Sequence, residues 1–306
     1  MIKLTKADLT TIERLLYNKA RDMDVSIYNA LQDPTYKDFV LDSLMLYITK
    51  DGGIGNALEI DNYNPNASVY QTYEALRILS ALDFDQACTY ELYSTLMNKI
   101  GNYLFNRCPV ENGLWNPLVE SNDNYAHSEE YSYMKNPFNI WGVHPTAAIL
   151  GYILELMPES KAYYKKALKQ IGYVFSYLER EEPWTPYTFT SFSALHSSLK
   201  KTGLYPEECQ KIEERMKKEA LLHLEDKQYN FPLYFLGVEV EGILKDHIEL
   251  QLDELISKRA SHGLWEHEKG WGNHKYPEED SASLKWLGAE TVWNLYLLKA
   301  YGRIEE

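Results

Sequence analysis

The sequence predicts an all-α fold, an α/α toroid of about five to six helical hairpins with the long loops gathered on one rim. Three observations carry this. Apolar residues recur at helical spacing along nearly the whole chain, and sustained strand alternation is nearly absent. Helices with one wet face alternate with helices that are apolar or small on most sides. Connections are short after the second kind and long before it, so an outer-inner-outer order places every connection into an inner helix at the same end.

Taken in order, residues 7–31 read as one N-terminal helix, and 34–49 as an outer helix with Asp33 as cap and Pro34 at its first position. A rim loop over 50–66 leads into an inner helix at 67–82, followed by an outer helix at 86–105. The longest loop, 106–143, precedes the inner helix 144–157. The outer helix 161–180 buries Tyr164, Ala167, Leu168, Ile171, Val174, Phe175 and Leu178 on one face, with Ser160 as its expected N-cap. An inner helix at 188–202 and an outer one at 206–225 come next; 231–242 suits a short inner helix or a strand. The pattern closes with an outer helix at 244–258, a rim loop at 259–281 and an inner helix at 282–301. Each long rim loop opens alike, with Gly52-Gly53-Ile54, Gly113-Leu114-Trp115 and Gly263-Leu264-Trp265, a degenerate repeat without fixed period. No linker rich in Pro, Gly or Ser breaks the pattern, so residues 1–306 are expected to form a single domain.

Composition narrows the functional classes. The 306 residues are 45% hydrophobic and 25% charged, which suits a globular chain and excludes disorder, a collagen-like fibre and a membrane bundle. A net charge of −14 repels phosphate backbones and argues against nucleic acid as a partner. Cys88, Cys108 and Cys209 form no CxxC pair, and the N-terminus turns charged before a long apolar run develops. Reduced thiols, no membrane span and a cytoplasmic location are expected; the oligomeric state is not specified.

The Gly-Leu-Trp openings, the inner helix Pro145-Thr-Ala-Ala-Ile-Leu-Gly-Tyr152 and the final Thr291-Val-Trp-Asn-Leu-Tyr-Leu-Leu-Lys-Ala-Tyr-Gly-Arg303 resemble the terpenoid cyclase and protein prenyltransferase superfamily of α/α toroids. The resemblance implies a central cavity for an isoprenoid. Of the superfamily's catalytic motifs, the chain has only an echo of the acid motif, at Glu278-Glu279-Asp280-Ser281-Ala282, with Pro277 in the place of its leading acid. The metal-binding aspartate-rich motif and the Asp, Cys, His zinc site have no counterpart, so neither metal nor cofactor is expected.

The rim supplies the candidate residues. Asp61, Asn62 and Asn64 concentrate polar groups at the mouth of an inner helix, where they suit a proton donor and the binding of a head group; the same residue types also serve as turn formers and caps. Asp61, Glu279 and Asp280 are the candidate acids. The second loop adds Trp115, Trp141, Asp123 and His127, with His144 at an inner helix start. The third adds Trp265, Trp271, Glu266 and the histidines 262, 267 and 274, whose spacing matches no standard metal-ligand pattern. With 25 tyrosines in the chain, Tyr70, Tyr73, Tyr152, Tyr187, Trp286 and Trp293 on or near inner helices suit a greasy cavity that tolerates hydroxyl groups. Three readings stay open at this point. The first is an isoprenoid or similar apolar small molecule bound or transformed among aromatic rings, with the positive helix ends favouring an anionic head group. The second is a glycoside hydrolase or lyase with Trp115, Trp265 and Trp271 stacking sugars and Asp123 and Glu266 as acid and base. The third is a non-catalytic scaffold.

Overall fold

The structure is a computed structural model that describes residues 1–85, 90–136, 141–267, 270–271 and 275–305. Cys88, Asn273 and His274 lie outside the described residues. The fold is all-α. Its helices are α1 (Lys6–Lys19), α2 (Asp22–Gln32), α3 (Lys37–Met45), α4 (Val69–Ala81), α5 (Glu91–Asn106), α6 (Thr146–Leu156), α7 (Ala162–Phe175), α8 (Pro186–Thr202), α9 (Pro206–Leu222), α10 (Phe231–Tyr234), α11 (Gly242–Ser257) and α12 (Glu278–Ala300). Among the described residues the only sheet is the two-residue pair β1 (Val110–Glu111) and β2 (Leu114–Trp115). No described helix is long and apolar enough to cross a membrane. The chain groups into two compact units: Met1–Ser43 with Leu224–Glu306 (unit 1), and Leu44–His223 (unit 2).

Unit 2 is built in two layers. The helices α4, α6 and α8 form the inner one, with α6 packed against both of the others; α5, α7 and α9 pack outside. Every residue of α6 is buried, because its sequence, Glu155 apart, is apolar, aromatic or small on all sides. Close approach of α6 to α8 depends on Gly151, where a Cβ would come within 3.0 Å of the Leu195 Cα. The three inner helices run parallel. Their first turns meet through His144 and Ser191 and through Tyr70 and His144, and their last turns meet at Glu155. That carboxylate accepts hydrogen bonds from the Ser80 hydroxyl (2.9 and 3.0 Å), the Ser198 hydroxyl (2.7 Å) and Lys201 Nζ (2.8 Å). The outer helix α7 starts at Ala162 with Lys161 at the cap, so Ser160 does not cap it.

Unit 1 is assembled from both parts of its discontinuous sequence, with α12 packed against α1 and α2. The expected single helix over 7–31 is two helices. At Arg21 the backbone is extended, and the Asp24 carboxylate both caps the Arg21 amide (3.3 Å) and pairs with its guanidinium (2.8 and 3.0 Å). The corner nests on α12 at Gly288, where a Cβ would lie 2.6 Å from the Ala20 Cβ. Residues 231–242 contain the short helix α10 and no strand, since Pro232 lacks an amide for a ladder and Asn230 caps Leu233. Arg303, almost fully buried, fastens Glu249, Asp253 and the Ile2 carbonyl together, beside a bridge between Leu4 and Ile304.

The three rim-loop openings share one geometry. In each, the amide two residues after a glycine donates to a threonine hydroxyl on the next inner helix: Ile54 to Thr72 (3.1 Å), Trp115 to Thr146 (3.0 Å), and Trp265 to Thr291 (3.3 Å). Both tryptophans also donate their indole N–H to a carbonyl of the preceding helix, Leu104 and Leu255. The repeat is one of hydrogen bonding, which tolerates loops of different length between its fixed points.

Candidate functional site

The first turns of α4, α6 and α8 in unit 2 converge on a cluster of rings. Ser68 caps α4 through the Gln71 amide and sets Tyr70 and Tyr73 on its first two turns. Thr185 caps α8 and Pro186 opens it, which fixes Tyr187 one residue in. Trp141 and His144 sit in the turn before α6, and Tyr131 in a short 3-10 turn of the second loop. Trp141 stacks on Tyr187 at 5.2 Å and meets Tyr70 edge-on at 5.2 Å; Tyr70 meets Tyr131 at 5.3 Å. His144 lies 5.0 Å from Tyr73, 5.5 Å from Tyr187 and 5.8 Å from Tyr70. Burial pushes His144 down to about 3, so it is a neutral ring with Nδ1 3.0 Å from the Ser191 hydroxyl. Tyr70 and Tyr187 keep part of their surface exposed while Trp141 and Tyr131 are buried behind them.

A buried carboxylate acts electrostatically on these rings. Glu59 is only 6% exposed, and its one hydrogen bond among the described residues is a long one, 3.3 Å, from the Asp61 amide to Oε1. Burial first, then the charges of Glu74, Asp61 and Glu130, raise it well above the usual carboxylate range. It is close enough to help lift the phenols of Tyr70, Tyr131 and Tyr187, each of which burial raises most. Glu74 is paired with Arg77 at 2.7 Å, so the one guanidinium of the cluster is already engaged.

The first and second rim loops are stitched beside this cluster by amides. Asn64 Nδ2 donates to Ser121 Oγ and Asn122 Oδ1 (both 2.8 Å), Asn62 Nδ2 to Asn122 Oδ1 (3.3 Å), and Asn122 Nδ2 to the Tyr131 carbonyl (2.9 Å). Asn62 also bridges His127 in antiparallel fashion. Asn62 and Asn64 are fully buried, and these bonds engage their side-chain amides in the loops.

Of the residues read from sequence, Trp141, His144 and Tyr187 come together with Tyr70, and half-buried Asp61 donates its amide to Glu59. Trp115 is buried at 1% exposure as the anchor of the second loop. Trp265, Trp271, Glu279, Asp280, Trp286 and Trp293 belong to unit 1. Trp265 anchors the third loop, and the Trp271 amide donates to Glu279 Oε1 at 2.8 Å. Asp280 is exposed on the first turn of α12. Trp286 stacks on His267 at 4.3 Å, and Trp293 meets Tyr296 edge-on at 5.8 Å. Among the described residues no group of His, Cys, Asp and Glu has the arrangement of a metal site. The sequence reading passed over Glu59, Glu74 and Tyr131. The signal for Glu59 was available: Leu58 and Ile60 flank it, both buried, which marks that stretch of the polar loop as interior.

No protein-family model, curated protein or solved structure matches this chain.

Proposed function

We propose that unit 2 binds an apolar small molecule of the isoprenoid kind across the half-exposed faces of Tyr70 and Tyr187, in the manner of the toroidal terpenoid cyclases. The observation that carries this reading is the convergence of Tyr70, Tyr73, Trp141, His144 and Tyr187 at the shared starting end of three parallel inner helices. Aromatic faces suit both an apolar chain and a positive charge developing on it. Of the three acids read from sequence, Asp61 lies in unit 2 with these rings, while Glu279 and Asp280 lie in unit 1. The carbohydrate reading asks for Trp115, Trp265 and Trp271 as stacking platforms. All three are buried, at 1, 3 and 3% exposure, with the indoles of Trp115 and Trp265 bonded to backbone.

Titration with farnesol tests the proposal by tryptophan fluorescence. The change in emission is expected to disappear in Trp141→Phe and to persist in Trp286→Phe and Trp293→Phe. A response confined to oligosaccharides and lost in Trp271→Phe would overturn it.

A further inference from the structure

The charge around the rings argues for the kind of apolar ligand they take. Glu59, Asp61, Glu74 and Glu130 act on one another there, and Arg77 answers Glu74. Glu59 is the exceptional member: it is 6% exposed, it forms no salt bridge with a cation among the described residues, and its one hydrogen bond there is the long one from the Asp61 amide. A buried carboxylate in that condition is costly unless it holds a proton or meets a cation. Three tyrosines within its field, Tyr70 from α4, Tyr131 from the second loop and Tyr187 from α8, offer π-faces or acceptor oxygens and no positive charge. An anionic head group, which the helix ends alone would favour, meets four carboxylates here.

We propose that this site takes a hydrophobic ammonium ion, its charge held between the Glu59 carboxylate and the faces of Tyr70 and Tyr187. A quaternary ammonium suits the surroundings because it is attracted by ring quadrupoles and needs no hydrogen-bond acceptors, which fits a carboxylate whose field reaches a cluster of rings. The exchange is balanced: burial favours the protonated form of Glu59, and as the cation enters the proton of that form leaves to water. Binding therefore releases protons and tightens as pH rises. The groups facing Glu59 that shape this titration are Asp61 on its own loop, Glu74 and Tyr70 on α4, Tyr131 and Glu130 on the second loop, and Tyr187 on α8.

This inference rests on the apolar-ligand reading above, and the experiment separates the two. Benzyltrimethylammonium, its neutral carbon isostere neopentylbenzene, and benzylsulfonate are compared by calorimetry and fluorescence, with farnesol as the probe of the apolar reading. The cation is expected to bind about tenfold or more tighter than the isostere. Glu59→Gln is expected to bring that ratio close to unity and to abolish the proton release, measured in buffers of different ionisation enthalpy. Tyr187→Leu, at a half-exposed position, is expected to weaken the cation about fivefold. Farnesol binding with equal affinities for cation and isostere would overturn the ammonium proposal and leave the apolar reading standing. A preference for the sulfonate would also overturn the ammonium proposal. Failure of every probe, farnesol included, would overturn both.

Discussion

Two glutamates of unit 2, Glu59 and Glu155, are equally buried at 6% exposure and lie at opposite ends of the same inner helices, yet their surroundings differ in kind. Glu155 is met by two serine hydroxyls and a lysine, all contributed by the helix ends it joins. Glu59 has one long hydrogen bond, from the Asp61 amide, and its electrostatic neighbours are three phenols and other carboxylates. The first arrangement is what packing alone selects, since a buried charge with its partners present holds elements in register. The second does nothing for packing. Buried carboxylates are thus sorted by their partners and not by their depth, and the starting end of the inner helices is where unit 2 keeps the one without a cation.

The largest expected effect tests that contrast directly. Glu155→Ala strips two buried hydroxyls and a lysine of their acceptor and should cost about 3 kcal/mol in urea unfolding. Glu59→Gln keeps the acceptor for the Asp61 amide and should leave stability unchanged or raise it by about 1 kcal/mol. Equal losses at both positions would break the comparison.

A second effect places acid sensitivity at the mouth end. The folded protein holds His144 down at about 3, below its unfolded value near 6.5, so the unfolded chain binds the extra proton in between. The contribution to stability is complete above pH 6.5 and declines as pH falls, at up to about 1.4 kcal/mol per pH unit. Unfolding free energies at pH 7.0 and 5.5 should differ by about 1.3 kcal/mol more in the wild type than in His144→Gln. The smallest effect lies at the other end. Asp83 also accepts from Lys201, at 3.0 Å, but its side chain is 81% exposed. Asp83→Asn should change stability by less than about 0.5 kcal/mol, and a larger loss would mean that the Glu155 end depends on its solvated rim.

How much of this was legible in the residues differs by level. The alternation of wet-faced and all-round apolar helices identified α4 to α9 because burial is written into residue type at every turn. The break at Ala20–Arg21 was hidden, because what splits α1 from α2 is the close approach of Gly288, far away in sequence, and the capping role of Asp24. Trp141, His144 and Tyr187 were found through their place beside inner-helix starts. Glu59 was passed over because an acid in a polar, asparagine-rich loop reads as solvated, and its isolation from any cation is a property of three dimensions. The gly-x openings were seen as words; that each fixes an amide on a threonine hydroxyl depends on the following helix.

The fastening of Ile2, Glu249 and Asp253 by Arg303 has a consequence in time as well as in space. Residues 1–43 belong to unit 1, whose remaining part begins at Leu224, so during synthesis they must wait while the whole of 44–223 is made. At about 5–20 residues per second that interval is on the order of ten seconds or more. Unit 2 is contiguous and has its full sequence before unit 1 does. The apolar stripe of α1, with Ile12 and Leu16, stays without α12 throughout the delay. Slowing the ribosome between 224 and 305 should therefore raise the yield of aggregated chains more than an equal pause before 44.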